Sequence, residues 1–508
     1  INYIATKYTY LNIHMKKIKS FLAIFFVLSI AFVSCKKDDD DTIEPIVDQT
    51  ELNNPINHFV WQAMNSWYNW QPNVSNLADS KDDNLETYYD YLNSYSTPES
   101  LFESLLYDKG NTDRFSWIVE DYEKQGASFR GVNDAYGFEF GVARLCEGCS
   151  EIIGFVTYVV PNSPAADAGI QRGDLFYKFD GVELNIDNYR VVNNFYDDEI
   201  TSITIEFNTI SNGTIVPNNV EKTLNIREVV ENPVFYSDII TNNAGTKIGY
   251  LVYNGFKYTF HEELNNVFGD FKAAGITELV LDLRYNGGGS VLTSAYLASM
   301  IYGGASESEV FAKLIYNSKH SDEGGYYSFF DKAYIYNKDG EYSGNQATIN
   351  RLNSITKLYV ITSRSTASAS EMIINGLTPY MSVIKVGTTT YGKIVGSITL
   401  YDSPDFKKSG ANTLHTNALQ PIVFQIYNKF DESDYTLGFT PDYEVIEFAS
   451  QLKPFGDMEE PLLKTALDHI SGAISKPSLA KKSRFETEPL FNSLDIKKHA
   501  KEMYIIPE

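Results

Sequence analysis

Between residues 235 and 450, short apolar strands alternate along the chain with helical stretches. The clearest strand segments are 248–252, 278–283 and 357–362, and the clearest helical ones are 260–274 and 291–302. Strands separated by helices of this length are typical of α/β domains, in which helices cover the faces of a sheet. We therefore expect an α/β domain over residues 232–450, the largest domain of the chain.

The segments on either side of this block have a different character. Residues 53–129 carry apolar side chains at helical spacing, and all four tryptophans lie there. Residues 130–231 read as strands and turns, and residues 451–508 favour helix followed by a polar tail. The sequence thus predicts a multidomain α/β protein with a helical N-terminal domain, a β-rich domain, the large α/β domain and a C-terminal helical extension.

The N-terminal residues have the pattern of a targeting segment. Met15 is followed by lysines and by an apolar run over residues 21–33, as in a secretory signal peptide. The run is shorter than the roughly 20 residues that a transmembrane helix needs. We assign residues 1–34 to upstream residues and this signal, and residues 35–52 to an acidic linker.

Residues 32–35 read F-V-S-C and resemble a lipobox, so Cys35 is the expected lipid attachment site. An ordinary signal peptide followed by a chance cysteine is the alternative. The lysines and aspartates of residues 36–41 resemble a surface-export signal of some Gram-negative lipoproteins. We therefore expect an extracytoplasmic protein, anchored by lipid to the outer membrane of a Gram-negative bacterium, with the periplasmic and the outward-facing orientation both open.

Charge and cysteine content exclude several classes of protein. The formal net charge of −24 repels phosphate backbones, so we expect no nucleic-acid partner. Three cysteines cannot build a disulfide scaffold or a four-ligand zinc cluster. Cys146 and Cys149 form a C-x-x-C pair, for which a local disulfide and free thiols are the two interpretations.

A second motif lies in the β-rich region. Residues 163–174 read S-P-A-A-D-A-G-I-Q-R-G-D and resemble the S-P-A-x-x-A-G-[IL]-x-x-G-D segment of PDZ domains. The resemblance implies a groove that captures a peptide C-terminus by strand addition. Tyr136, Gly137 and Phe138 then match the loop that holds the carboxylate, although a tight turn that requires glycine would give the same pattern.

Three segments of the α/β block carry residues with possible chemistry. Residues 279–290 run from an apolar strand into three glycines, which can present backbone N–H groups to a ligand. Ser368 and Glu371 have the spacing of a helix capping box, and a serine at a helix N-terminus also has its alkoxide stabilised. Lys393 follows an apolar strand and a turn, and a lysine in an apolar pocket loses its proton readily.

In this order the three segments read D-L-R-Y-N-G-G-G, T-A-S-A-S-E and T-Y-G-K. Together with the PDZ segment they resemble the tail-specific, or C-terminal-processing, serine peptidases over roughly residues 130–445. The resemblance implies a crotonase/ClpP-like ββα spiral core, and an endopeptidase that acts on protein or peptide substrates through their C-termini. It implies no metal and no organic cofactor.

Each candidate residue takes a role from this resemblance. Ser368 is the implied nucleophile and Lys393 the general base, while Glu371 either orients the site or only caps the helix. Backbone N–H groups would form the oxyanion hole. The candidates for these groups are Gly287, Gly288 and Ala369.

One position departs from the family pattern. Family members often have glutamine four residues after the lysine, and this chain has Ser397 there. Either Ser397 substitutes for it, or Lys393 is held differently. Among the histidines, His415 is the one candidate for an alternative general base. Two other functions compete with that of a peptidase: a non-catalytic, peptide-binding surface lipoprotein and a scaffold for nutrient uptake.

Overall fold

The computed structural model of the chain describes residues 51–211, 214–474 and 487–506. Cys35, the proposed signal peptide and nearly all of the acidic linker lie outside these residues. Residues from Glu51 onward belong to one compact unit. Among the described helices, none combines the length and the apolar character needed to cross a membrane.

The N-terminal region is helical, as expected, and it surrounds an aromatic core. Its elements are α1 (Pro55–Trp67), α2 (Leu85–Asn93), α3 (Pro98–Ser104), β1 (Trp117–Val119) and α4 (Tyr122–Phe129). Helix α1 begins after Asn54, whose side chain accepts a hydrogen bond from the N–H of Ile56. Its buried face, which includes Trp61, packs against Tyr88 of α2.

The PDZ-like, β-rich domain that the sequence predicts follows the helical region. Its strands are β2 (Val132–Ala135), β3 (Phe138–Arg144), β4 (Ile152–Val159), β5 (Leu175–Phe179), β6 (Val182–Glu183), β7 (Ser202–Ser211), β8 (Thr214–Asn225) and β9 (Arg227–Val230). The main sheet has the antiparallel order β3-β4-β5-β7-β8. Short helix α5 (Pro164–Asp167) begins at Ser163.

The α/β domain contains two six-stranded sheets. Its elements are β10 (Val234–Thr241), β11 (Lys247–Tyr253), α6 (His261–Ala274), β12 (Glu278–Asp282), β13 (Gly289–Ser290), α7 (Val291–Ile301), β14 (Val310–Tyr316), β15 (Gly325–Ser328), β16 (Lys332–Tyr336), β17 (Tyr342–Thr348), β18 (Lys357–Thr362), α8 (Ala369–Leu377), β19 (Ser382–Gly387), β20 (Val395–Ser397), β21 (Leu400–Tyr401), β22 (Ala418–Gln420), β23 (Ile422–Tyr427) and β24 (Tyr443–Glu444). The first sheet has the order β10-β11-β12-β18-β19-β24, and its strands from β11 onward are parallel. Helices α6, α7 and α8 cover it with the largest apolar cluster.

The C-terminal region differs from the helical extension that the sequence predicts. Its described residues, 451–474 and 487–506, include the helix α9 (Pro461–Ile470) and then the strands β25 (Glu488–Asn492) and β26 (Met503–Tyr504). Strand β25 pairs with β3 of the PDZ-like sheet, and β26 lies between β13 and β20 in the second sheet. In α9 the leucines recur at helical spacing and pack on the first sheet. The backbone groups of β25 and β26 instead form hydrogen bonds with strands that lie far away in the sequence.

A buried cluster of charges joins the PDZ-like and α/β domains. Arg172, which follows the PDZ motif helix, donates from Nη2 to Glu447 Oε1 at 2.7 Å and from Nη1 to Tyr285 Oη at 2.9 Å. Arg284 donates from Nη1 to the same Glu447 oxygen and to Glu460 Oε1, both at 2.8 Å. These contacts hold the two domains against each other.

Candidate active site

Ser368 is the N-cap residue of helix α8 and is fully buried. Its φ of 63° and ψ of −118° lie outside the regions that residues with a side chain usually adopt. Such strain persists only where the surrounding structure enforces it, and it concentrates at functional sites. The sharp turn between β18 and α8 therefore presents the Ser368 hydroxyl at a helix N-terminus, whose dipole favours a developing negative charge.

Glu371 connects the segment of Ser368 to that of Lys393. Its Oε2 accepts from the N–H of Ser368 at 2.9 Å and from the N–H of Lys393 at 2.8 Å. Its Oε1 accepts from Thr390 Oγ1 at 2.6 Å and from the N–H of Gly392 at 2.7 Å. Burial raises the pKa of Glu371 to about 7, against the opposing effect of these four donors. Glu371 is thus both a helix cap and a brace between the two segments.

The Lys393 side chain is fully buried. Its Nζ lies 4.6 Å from the centroid of the Phe115 ring and donates to the carbonyl of Lys501 at 2.7 Å. Burial lowers the pKa of Lys393 to about 7, although the carboxylates of Glu502, Asp113 and Glu371 favour its charged form. A lysine with this pKa can accept a proton near neutral pH.

The glycine loop packs directly against Ser368. A methyl group at Gly288 would lie 2.6 Å from the Cβ of Ser368, so this position must be glycine. The N–H of Gly288 is already occupied, because it donates to Asn286 Oδ1 at 2.9 Å. The N–H of Gly289, which the sequence analysis did not single out, donates to the carbonyl of Glu502 at 2.7 Å.

The other two oxyanion-hole candidates lie close by. Gly287 faces the tail, where a methyl group would overlap the carbonyl of Ala500. Ala369 is the first residue of α8, directly after Ser368. The loop and the helix start therefore converge on one point, at which the carbonyl of Glu502 lies.

The candidate nucleophile and the candidate base both contact the C-terminal tail. Ser368 Oγ donates to the carbonyl of Glu502 at 2.6 Å, and Lys393 Nζ donates to the preceding carbonyl, that of Lys501. Within the part of the chain that the structure describes, no direct hydrogen bond joins Ser368 Oγ to Lys393 Nζ. In this arrangement the serine hydroxyl is directed at a tail carbonyl instead of at the lysine.

Ser397 also binds the tail. Its Oγ donates to the carbonyl of Met503 at 3.0 Å and accepts from Gln420 Nε2 at 2.9 Å. Lys393 is instead positioned by Glu371 and by the Phe115 ring. His415 lies elsewhere, with Nε2 3.0 Å from Asp402 Oδ2.

The proposed carboxylate loop of the PDZ-like domain lies at the start of β3. Gly137 has a φ of 86°, and its carbonyl accepts from the N–H of Val160 at 2.8 Å. A methyl group there would overlap the side chain of Ser163, so the position requires glycine. Tyr136 and Phe138 flank it with buried rings, and the three residues line a cavity of about 360 Å³.

Cys146 and Cys149 form a disulfide, the first of the two interpretations that the sequence left open. Their Cα atoms are 5.2 Å apart. Among the described residues, no group of three or more histidine, cysteine, aspartate or glutamate side chains is arranged to hold a metal ion.

Comparison with known proteins identifies the families of three segments of the chain. Three family models match it: Peptidase family S41 over residues 247–445, Peptidase S41 N-terminal domain over residues 55–117, and PDZ domain over residues 155–190. The fold is therefore that of a peptidase-type domain combined with a PDZ domain. Residues 247–445 form a peptidase family S41 domain, and the resemblance to the C-terminal-processing peptidases is confirmed.

Relatives in sequence carry the same designation. A chloroplastic C-terminal processing peptidase from Tetradesmus obliquus is 25% identical over 243 residues, which are 46% of this chain and 46% of that protein. A carboxyl-terminal-processing protease from Picosynechococcus sp. is 24% identical over 248 residues, 48% of this chain and 52% of that protein. The chain therefore spans about half the length of the curated relatives that it matches.

A solved structure is similar over most of the chain. A protein from Bacteroides fragilis, described as an S41 protease, is 27% identical with a TM-score of 0.62. The match covers 82% of this chain and 98% of that one. The order of helical region, PDZ-like domain and α/β core is thus the order of an S41 structure.

Proposed function

We propose that this protein is a serine endopeptidase in which Ser368 is the nucleophile and Lys393 the general base. One observation carries the proposal: a single buried carboxylate, Glu371, accepts from the N–H groups of both residues. It thereby holds a strained serine and a lysine whose pKa burial lowers to about 7 in one site.

The residues support acyl transfer in the following order. Lys393 Nζ, in its neutral form, takes the proton of Ser368 Oγ as this oxygen attacks the carbonyl carbon of the substrate. The N–H of Gly289 stabilises the oxyanion, and the candidates Gly287, Gly288 and Ala369 frame the same point. The C–N bond breaks, the lysine ammonium returns its proton to the leaving amine, and water hydrolyses the ester at Ser368.

The PDZ-like domain supplies the substrate class in this proposal. A glycine-containing loop at the start of a sheet-edge strand can hold a peptide C-terminus, because the strand offers its backbone and the loop its N–H groups. Tyr136, Gly137 and Phe138 form that loop. Protein or peptide substrates would therefore be recognised by their C-termini and then cleaved at Ser368.

The location is also part of the proposal. Cys35 at the end of the apolar signal supports a lipid anchor in the outer membrane. Metabolic labelling with an alkynyl fatty acid should label the parent chain. The proposed anchor would be refuted if the Cys35→Ser variant were labelled equally.

Proteolysis of an unfolded protein with a C-terminal tag tests the activity. The parent chain should cleave it, and Ser368→Ala and Lys393→Ala should lose about 10³-fold or more in rate while keeping their fold. Ser365→Ala is the matched control, because Ser365 is a buried serine in the same turn, and it should keep the parent's activity. Equal cleavage by Ser368→Ala would exclude this nucleophile. A parent that binds C-terminal peptides but cleaves nothing would favour the non-catalytic, peptide-binding lipoprotein.

A further inference from the structure

The tail segment, residues 487–506, occupies the edge of the PDZ-like sheet. Strand β25 pairs antiparallel with β3, with Glu488 opposite Arg144 and Asn492 opposite Gly141. The contact continues towards the carboxylate loop, where the N–H of Phe140 donates to Ser493 Oγ at 3.0 Å. An added peptide strand uses this same edge and this antiparallel direction. A substrate C-terminus and the tail therefore compete for one row of backbone groups.

The tail then enters the active site and binds the groups proposed for catalysis. Three consecutive carbonyls accept hydrogen bonds there: Lys501 from Lys393 Nζ, Glu502 from Ser368 Oγ and the N–H of Gly289, and Met503 from Ser397 Oγ. Residues Met503–Tyr504 also pair in parallel with Gly289–Ser290. An extended peptide held across the nucleophile makes contacts of this kind, with its carbonyl at the oxyanion donor.

Two buried pockets hold the side chains that follow the Glu502 carbonyl. Met503 is fully buried and belongs to the main apolar cluster of the α/β domain. Tyr504 is fully buried as well, and its ring stacks on Phe129 with the centroids 3.8 Å apart. Its hydroxyl donates to the carbonyl of Phe129 at 3.2 Å. The first pocket accepts an apolar side chain, and the second accepts an aromatic one with a polar tip.

The residues before the Glu502 carbonyl are held by charge and by ring contacts. Lys497 Nζ donates to Glu139 of strand β3 at 3.1 Å, whereas Lys501 Nζ donates within the tail itself, to Asp495 at 3.1 Å. His499 stacks on Trp117 with the ring centroids 4.3 Å apart. One ion pair, that of Lys497, and one ring stack, that of His499, thus hold this part of the tail against the rest of the chain.

We propose that residues 487–506 are an intramolecular ligand which occupies the substrate path, and that the pockets of Met503 and Tyr504 select an apolar residue followed by an aromatic one after the scissile bond. The assignment of a scissile bond rests on the proposed peptidase function. A segment that only stabilised the fold would not need its carbonyls on Lys393, Ser368 and Gly289. Substrate enters when the tail leaves, so the tail sets both the resting activity and the sequence preference.

The first test measures binding in the absence of cleavage. The full chain carrying Ser368→Ala is compared with the same chain that also carries Met503→Asp or Tyr504→Ala, because a carboxylate or a lost ring should release the tail. The probe is a fluorescent peptide with the sequence of residues 497–506. It should bind the two released variants at least about tenfold more tightly than the Ser368→Ala chain.

Two controls make this binding test specific. Lys498→Ala is the matched tail variant, because Lys498 pairs only at the surface, with Asp198 at 3.5 Å, and the tail should stay in place. A probe peptide that itself carries the Met503→Asp and Tyr504→Ala changes should bind at least about tenfold more weakly. Equal binding by all folded variants, or of both peptides, would overturn the inference. If Met503→Asp does not fold, the binding of the probe by Tyr504→Ala alone decides the test.

The second test measures cleavage in chains that retain Ser368. Tyr504→Ala should raise kcat/KM on an unfolded protein at least about tenfold over the parent, and Lys498→Ala should not. Mass spectrometry of the products should find new N-termini that begin with an apolar and then an aromatic residue. Products without this preference would overturn the inference about the pockets. Peptide binding without cleavage by any variant would refute the proposed peptidase function and leave the tail as a ligand of the cleft.

Discussion

Two buried groups of ionisable residues in this protein have opposite properties. In the candidate active site, burial lowers the pKa of Lys393 to about 7 and raises that of Glu371 to about 7. In the domain interface, burial acts on Glu447 in the same direction as on Glu371, but Arg172 and Arg284 outweigh it and hold the pKa of Glu447 at about 2. Burial alone therefore does not decide the charge state of a carboxylate.

The partners explain the difference. Among the described residues, the donors to Glu371 are all uncharged, and Lys393 Nζ contacts an aromatic ring and a carbonyl. Glu447 instead lies between two guanidinium groups, which compensate its charge at short range. The interface cluster is thus fixed in its ionised form, whereas the active-site pair is held near the point at which it exchanges protons.

Removing a cation from the interface cluster should have the largest effect on stability. Arg284→Met leaves Asp282, Glu447 and Glu460 without their shared partner, and breaking a buried ion pair costs about 3–5 kcal/mol in the free energy of unfolding. Denaturant unfolding followed by tryptophan fluorescence measures this loss. Lys464→Met removes the exposed pair with Glu459 and should cost less than about 1 kcal/mol. Equal losses would mean that the cluster is no stronger than a surface pair.

Removing the cation of the active site should have the opposite sign. The pKa of Lys393 in the folded chain lies below its ordinary value of 10.5. Below pH 7 the lysine is charged in both the folded and the unfolded state, so burial of the charge destabilises the folded state most strongly there. Lys393→Met should therefore raise the free energy of unfolding by roughly 1–4 kcal/mol at pH 6 while abolishing cleavage. The gain should shrink as the pH rises from 7 towards 10.5. A loss of stability at pH 6 would show that nearby carboxylates compensate the charge of Lys393, as they do the charge of Arg284.

The pH dependence of activity should show the smallest effect of the three. Below pH 7, Lys393 gains a proton and can no longer act as base, so kcat/KM should fall about tenfold for each pH unit. Glu371 gains a proton in the same range and steepens the fall. Initial rates between pH 5 and 9 measure the profile, with Ser365→Ala as the control that should match the parent. A flat profile across pH 7 would remove Lys393 from the mechanism.

The sequence predicts the two key segments of the site because each is local. Ser368 and Glu371 are three positions apart in one helix start, and Lys393 follows one strand and one turn later. Which backbone N–H of the glycine loop is free to bind a carbonyl could not be predicted, because this depends on the Asn286 side chain. Asn286 accepts the hydrogen bond of the Gly288 N–H, so the N–H of Gly289 binds the carbonyl of Glu502 instead.

The tail could not be predicted for a different reason. Its strands Glu488–Asn492 and Met503–Tyr504 pair with β3 and β13, far away in the sequence, and segments of five and two residues are too short to show a periodicity of their own. Three parts of the fold could be predicted because each contains repeated local patterns. They are the alternating strands and helices of residues 235–450, the helical N-terminal region and the PDZ-like domain.

Arg172 limits how the PDZ-like domain could be exchanged between proteins. A chimera that replaced this domain with one lacking an arginine at this position would leave Glu447 with one cation instead of two, and Tyr285 without its donor. Deleting the domain would remove the same contacts. A loss of activity in such a chimera would therefore result from a disrupted domain interface, and not from the absence of a peptide-binding function. A transplanted domain needs to bring its own arginine with it.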